Sequence, residues 1–114
     1  MEKEIIINKS RFISIRYDLQ SLDEIDNILS SLKREHKKAT HICYAYVYNR
    51  DCVREKCSDD GEPNGTAGYP ILNVIKKKGL SNILVVVIRY FGGIKLGAGG
   101  LTRAYTKSAA EVLN

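Results

Sequence analysis

The stretch ILVVVIRYFGGIKLGAGGLTR, residues 83–103, decides the fold. Its first six residues, Ile83 to Ile88, are apolar at every position, which predicts a central strand covered on both faces. From near Leu101 a second pattern takes over. Leu101, Ala104, Tyr105, Ser108, Val112 and Leu113 recur at helical spacing and mark the buried face of a last helix. Between strand and helix lie Gly92, Gly93, Gly97, Gly99 and Gly100. A strand that passes through glycines into a helix leaves unpaired backbone N–H groups at the helix start, where the dipole favours negative charge. Glycine also lets a ligand approach the backbone closely. Arg89, Lys95 and Arg103 lie in the same stretch and no acid does; Lys107 follows one turn after Arg103 on the outer face. This is the local chemistry of an anion site, although the spacing fits neither nucleotide-binding glycine fingerprint. Tight turns and close helix–sheet packing account for the glycines taken alone, but not for the cations beside them.

Outward from that stretch the chain reads as alternating strands and helices. Phe12 to Tyr17 alternates as a strand, with Glu4 to Ile7 as its partner. Ser21 and Glu24 form a capping box that opens a helix with Leu22, Ile25, Ile28, Leu29 and Leu32 on its apolar face. Ile42 to Tyr48 is the next strand, and Cys52 to Cys57 continues as its hairpin partner. Tyr44, Tyr46 and Tyr48 fall on one face; an open sheet would use them to stack bases, but packing against neighbouring elements is the preferred reading. A turn-rich segment, residues 58–70, leads into a helix with Ile71, Leu72, Val74 and Ile75 inward, Pro70 in its first turn and Gly79 as its stop. The predicted order is β-β-α-β-β-α-β-α, an α+β domain with helices packed on a mixed sheet.

The charge is unevenly spread. Residues 1–62 carry 11 cations against 12 acids, whereas residues 63–114 carry seven cations against Glu111 alone. A carboxylate-free run from Pro63 to Ala110 points to a polyanionic partner. No apolar run approaches the roughly 20 residues of a membrane span, and the N-terminus lacks a signal-peptide pattern; a cytoplasmic location is expected. Cys43, Cys52 and Cys57 match no zinc spacing and read as reduced thiols, with Cys57 beside Lys56 the one with some prospect of reactivity. His36 reads as solvated and His41 as a hydrogen-bonded strand residue. The acidic turn Asp59-Asp60-Gly61-Glu62 offers three carboxylates to a divalent cation, yet a loop fixed by its own hydrogen bonds, pairing with the basic loop after the central strand, is preferred. No nucleophile, base and orienting group are set out together, and no cofactor is expected.

The stretches SDDGEPNGTAGYPIL (58–72) and LVVVIRYFGGIKLGAGGLTRAY (84–105), with KSRF (9–12) and HICYAYV (41–47), closely resemble the YigZ/Impact family. The resemblance spans nearly the whole chain and makes residues 1–114 a single domain of that N-terminal type. It implies a fold similar to the fourth domain of elongation factor G. It also implies that the second, ferredoxin-like domain of bacterial members is missing from these 114 residues. Eukaryotic relatives act in translational control. Tyr69 stands where relatives often have a basic residue, which weakens the case for a phosphate site at that position.

Together these readings predict a non-catalytic binding domain linked to translation, acting on RNA, the ribosome or a translation-associated protein. The binding set would be Arg89, Tyr90 (stacked on a base), Gly92, Gly93, Lys95, Gly97, Gly99, Gly100, Arg103 and Lys107. The rival is an enzyme or sensor for a phosphorylated ligand, with the acidic turn supplying metal ligands.

Overall fold

The computed structural model describes residues 1–114. The elements run β1 (Glu2–Ile7), β2 (Ser10–Asp18), α1 (Glu24–Glu35), β3 (His41–Asn49), β4 (Val53–Ser58), α2 (Gly68–Lys77), β5 (Ile83–Tyr90) and α3 (Gly97–Leu113). The α+β class and the element order are those predicted. The strands form one sheet in the order β1-β2-β5-β3-β4, and every neighbouring pair is antiparallel. The expected mixed sheet is corrected on that point. β2 and β3, joined through α1, run the same way, but β5 inserts between them and pairs antiparallel with both.

β5 explains the layering. Ile83, Val85 and Val87 point to one face, where they pack with Ile71 and Ile75 of α2 and with Leu101, Tyr105 and Val112 of α3. Leu84, Val86 and Ile88 point to the other, against Ile25 and Leu32 of α1. All six are 0–1% exposed, so the central strand is dry on both sides and its uninterrupted apolar run is accounted for. Tyr46 and Tyr48 are buried on the α1 side and Tyr44 is half-buried there, so the tyrosine row is packing material rather than an open stacking platform.

Two local features differ from the sequence pattern for physical reasons. α3 begins at Gly97, a full turn before Leu101, so glycines of poor helix propensity make up most of its first turn. Packing decides this: Leu96 lies against Gly100, and the Arg103 guanidinium lies over Gly99. The β1–β2 hairpin turns on Asn8 and Lys9, both at positive φ (48° and 66°), between the paired residues Ile7 and Ser10. Such a two-residue turn favours glycine at its second position, so the turn is weakly signalled although the pairing of its two strands was expected. The capping box forms in part: the Glu24 carboxylate accepts from the Ser21 amide (3.0 Å), but the Ser21 hydroxyl accepts from the Asp23 amide (3.2 Å) and the Glu24 amide goes to the Ser21 carbonyl. No helix is long and apolar enough to cross a membrane.

Candidate functional site: a cleft over a buried ion pair

The site begins with a charge inside the core. Arg89 lies near the end of β5 with its side chain 6% exposed, and Glu62 of the acidic turn is 3% exposed. The guanidinium Nη1 donates to both Glu62 carboxylate oxygens, at 3.0 and 2.8 Å. The Tyr105 hydroxyl donates to Glu62 Oε2, and Arg89 Nη2 donates to the buried Ser10 hydroxyl at 3.3 Å. That hydroxyl also accepts from the Gly92 amide at 3.2 Å. The guanidinium is sandwiched between the rings of Phe12 and Phe91, 5.6 and 5.4 Å from their centroids. Segments distant in sequence (9–12, 58–63, 89–93 and 104–105) therefore meet in one buried polar knot.

The acidic turn divides its three carboxylates among three structural tasks. Asp59 accepts the amides of Gly65, Ala67 and Gly68 and caps α2. Asp60 accepts the Ile42 amide at 2.7 Å. Glu62 holds Arg89. The three point to different partners, and no group of three metal-ligating side chains comes together. Burial pushes the Asp59 carboxyl up, but the amides of Gly65, Gly68 and Ala67 outweigh it and hold the carboxyl below its ordinary value. A depressed folded-state value means that stability is present above the unfolded-state pKa and lost as pH falls through the folded one. Asp59→Ala is accordingly expected to cost about 1–2 kcal/mol at neutral pH, and less in acid once the wild-type carboxylate is itself protonated. Urea denaturation at pH 7 and at a pH below the folded-state value checks both.

Above the ion pair lies a cleft of about 410 Å³. Glu62 and Arg89 line its floor, with Thr40 and His41 on the β3 side, Phe91 and Lys95 on the loop, and the first turn of α3 opposite. The N–H groups of Gly97, Ala98 and Gly99 find no acceptor in the chain, the N-cap residue Leu96 offers no side-chain oxygen, and the first turn holds no acid. The other two helix starts carry carboxylates, Glu24 and Asp59. His41 Nδ1 lies 2.7 Å from the Asp60 carbonyl, which can only accept, so the proton sits on Nδ1. Nε2 then lies 3.4 Å from Glu62 Oε1 and donates to it only when the ring is doubly protonated.

A second hollow, about 250 Å³, lies on the outer side of α3. Asn8, Gly100, Arg103 and Lys107 line it, and the Lys9 side chain sits beside Gly92 at the same hairpin. Lys9, Lys95, Arg103 and Lys107 are all exposed.

The predicted binding residues thus divide. Lys95, Gly97, Gly99 and Gly100 lie at the start of α3, and Arg103 and Lys107 follow along the same helix. Gly92 and Gly93 build the loop that carries them, with Gly93 at φ 91°. Arg89 lies beneath the cleft with its terminal nitrogens already paired. Tyr90 points to the opposite face of the sheet, where its hydroxyl lies 2.6 Å from His36 Nδ1 and Arg11 covers its ring. It is not available as a stacking platform beside Lys95, and His36 is half-buried and bonded rather than solvated. Residues that the pattern alone did not bring to the site are Lys9, Thr40, His41 and Phe91. Lys9, His41 and Phe91 fall in stretches that carry the family resemblance, whereas Thr40 carried no signal. Cys43 and Cys57 are disfavoured as thiolates. Burial pushes the Cys43 thiol up to about 12, and burial with nearby Asp59 and Glu55 also raises Cys57, against the expectation of a reactive thiol.

Comparison with known proteins places this geometry. The Impact N-terminal domain matches residues 8–113. The chain is 51% identical over 113 residues to the IMPACT family member YvyE of Bacillus subtilis (strain 168), covering 99% of this chain and 52% of that protein. A crystal structure of a hypothetical protein superposes with a TM-score of 0.91 at 38% identity, over 98% of this chain and 55% of that one. The two-domain translational regulator Yih1 superposes with a TM-score of 0.66 at 27% identity, over 96% of this chain and 43% of that one. The chain spans about half the length of the curated relatives it matches most fully. With a domain match across nearly its whole length, the chain belongs to the Impact family through its N-terminal domain.

Proposed function

We propose that this domain is a binding module of translational control that engages RNA through the start of α3 and the adjoining hairpin. The observation that carries the reading is a set of exposed cations, Lys95 just before α3, Arg103 and Lys107 along its outer face and Lys9 on the adjoining hairpin, on a helix whose start has no capping carboxylate. The one acid lining the cleft, Glu62, is neutralised by Arg89. The description of the related Yih1 as a translational regulator supports the biological setting. The glycine loop works as a mount: Gly92 seats it on the hairpin, which holds the cations in one region without placing a β-carbon between them and the ligand. Phosphates would meet side-chain charges on the outer face of α3, and specificity would come from what enters the cleft.

Fluorescence anisotropy with a single-stranded RNA dodecamer tests this. Four phosphate contacts predict a log–log salt slope near −2.8, about −0.7 for each, and the Arg103→Ala/Lys107→Ala variant should flatten it by about 1.4. A slope near zero, or a double variant that binds like the wild type, would remove the reading.

A further inference from the structure

We propose that the cleft between the Glu62–Arg89 pair and the first turn of α3 is a recognition pocket for a nucleoside monophosphate, either free or as the phosphorylated end of an RNA strand. The strand-end form rests on the RNA-binding reading above; the free-nucleotide form stands without it.

Three observations converge on that ligand. The first is the donor set at one end of the cleft. Of the unpaired amides at the start of α3, those of Gly97 and Ala98 belong to residues lining the cleft, Lys95 stands beside them, and no carboxylate occupies the turn. A phosphate monoester supplies several strong acceptor oxygens and the negative charge that such a turn attracts. The second is independent of the helix. Arg89 is 5% exposed and lines the cleft floor, and its Nε–H is buried without a partner although Glu62 and Ser10 occupy the terminal nitrogens. Buried donors of this kind are rare in folded proteins, and an acceptor oxygen entering from the cleft is the partner it lacks. The third is size and lining. A space of about 410 Å³ exceeds what a bare phosphate fills and falls within the range of small-molecule sites. Its far side offers what a base needs: the half-exposed ring of Phe91 and the face of Pro63 for stacking, with Thr40 and His41 at the rim for hydrogen bonding.

Charge agrees with this assignment. Glu62 and Arg89 cancel, so Lys95 and the helix start set the sign of the field inside the cleft. The outer cations Arg103 and Lys107 border the separate hollow on the far side of α3, where the body of a strand would continue after its end is seated.

The decisive variant is Ala98→Glu. Ala98 is exposed in the first turn of α3, where a carboxylate suits the helix dipole, so the fold is kept while the phosphate position acquires a competing charge. Calorimetric titration of the 114-residue chain would compare adenosine 5′-monophosphate, a 5′-phosphorylated RNA decamer and the same decamer with a 5′-hydroxyl, at one salt concentration. The expected result is a preference of about tenfold or more for the phosphorylated decamer, saturable binding of the mononucleotide, and loss of both in Ala98→Glu with no fall in melting temperature. Mononucleotide binding with no discrimination between the decamers assigns the pocket to the free nucleotide. If neither decamer binds while the mononucleotide does, the RNA reading fails and the pocket stands. Equal decamer affinities with no mononucleotide binding overturn the pocket and leave RNA binding to the outer face. Mononucleotide binding unchanged in Ala98→Glu overturns it as well.

Discussion

Glu62→Ala is expected to destabilise the domain by about 3–5 kcal/mol, a large part of the 5–15 kcal/mol that holds a protein of this size together. The cost comes less from the pair's own attraction than from what the substitution leaves behind. Arg89 stays charged, 6% exposed, between two aromatic rings and under a cleft, with one donor satisfied by Ser10 and the rest facing no acceptor. The Tyr105 hydroxyl loses its acceptor too. Burial already raises the Tyr105 phenol far above its ordinary value, so the tyrosine cannot ionise to relieve the strain. Removing both charges separates these effects. Glu62→Met/Arg89→Leu replaces the pair with apolar bulk of similar volume and should recover much of the loss, because two uncompensated desolvations vanish together. Urea denaturation of the wild type, the single variants and the double variant closes the cycle. A Glu62→Ala cost below about 1 kcal/mol would mean that water reaches Arg89 freely, and the knot would not be the keystone described here.

That knot also marks where sequence reading stopped. The central strand was legible because six consecutive apolar residues admit one explanation, and the α3 face was legible because its period is 3.6. The destination of Arg89 was not. Next to five glycines and two other cations it reads as a phosphate ligand, and only the pairing of β5 with β2 and β3 aims it inward at Glu62, 27 residues away. Side-chain alternation does the rest: residue 89 shares the face of Val85 and Val87, whereas Tyr90 falls on the face of Ile88 and α1. A strand's register decides which of two neighbouring residues joins a site, and register is a non-local property. Lys9 shows the reverse case. Eighty-three residues before Gly92 in sequence, it comes beside the glycine loop because the hairpin docks there, and nothing in its local periodicity announces this. The acidic turn was partly legible: a loop fixed by its own hydrogen bonds, pairing with the basic loop after the central strand, was the preferred reading, and the partner that Glu62 takes is instead Arg89 within that strand.

Gly92→Ala is expected to cost about 3 kcal/mol and to weaken RNA binding beyond what that loss of stability explains. The residue has an ordinary backbone conformation, so the reason is space. An added β-carbon would overlap the Lys9 carbonyl group, and that carbonyl belongs to a hairpin turn already held at two positive φ values. Neither side can yield cheaply. The hairpin is pinned by six paired positions between β1 and β2, and the loop is pinned by the Gly92 amide on Ser10 and the Phe91 amide on Thr40. Relief requires the loop to lift, which moves Phe91, Lys95 and the start of α3 away from Lys9 together. Gly93→Ala supplies the contrast. At φ 91° it strains the backbone, but nothing lies within 4 Å of its added carbon, so it should cost about 1–2 kcal/mol and leave the hairpin contact intact. Melting curves rank the two variants, and anisotropy titrations at a temperature where both are folded isolate the binding effect. If both bind RNA with wild-type affinity there, the docking of loop on hairpin serves stability alone, and the cations need no common mount to do their work.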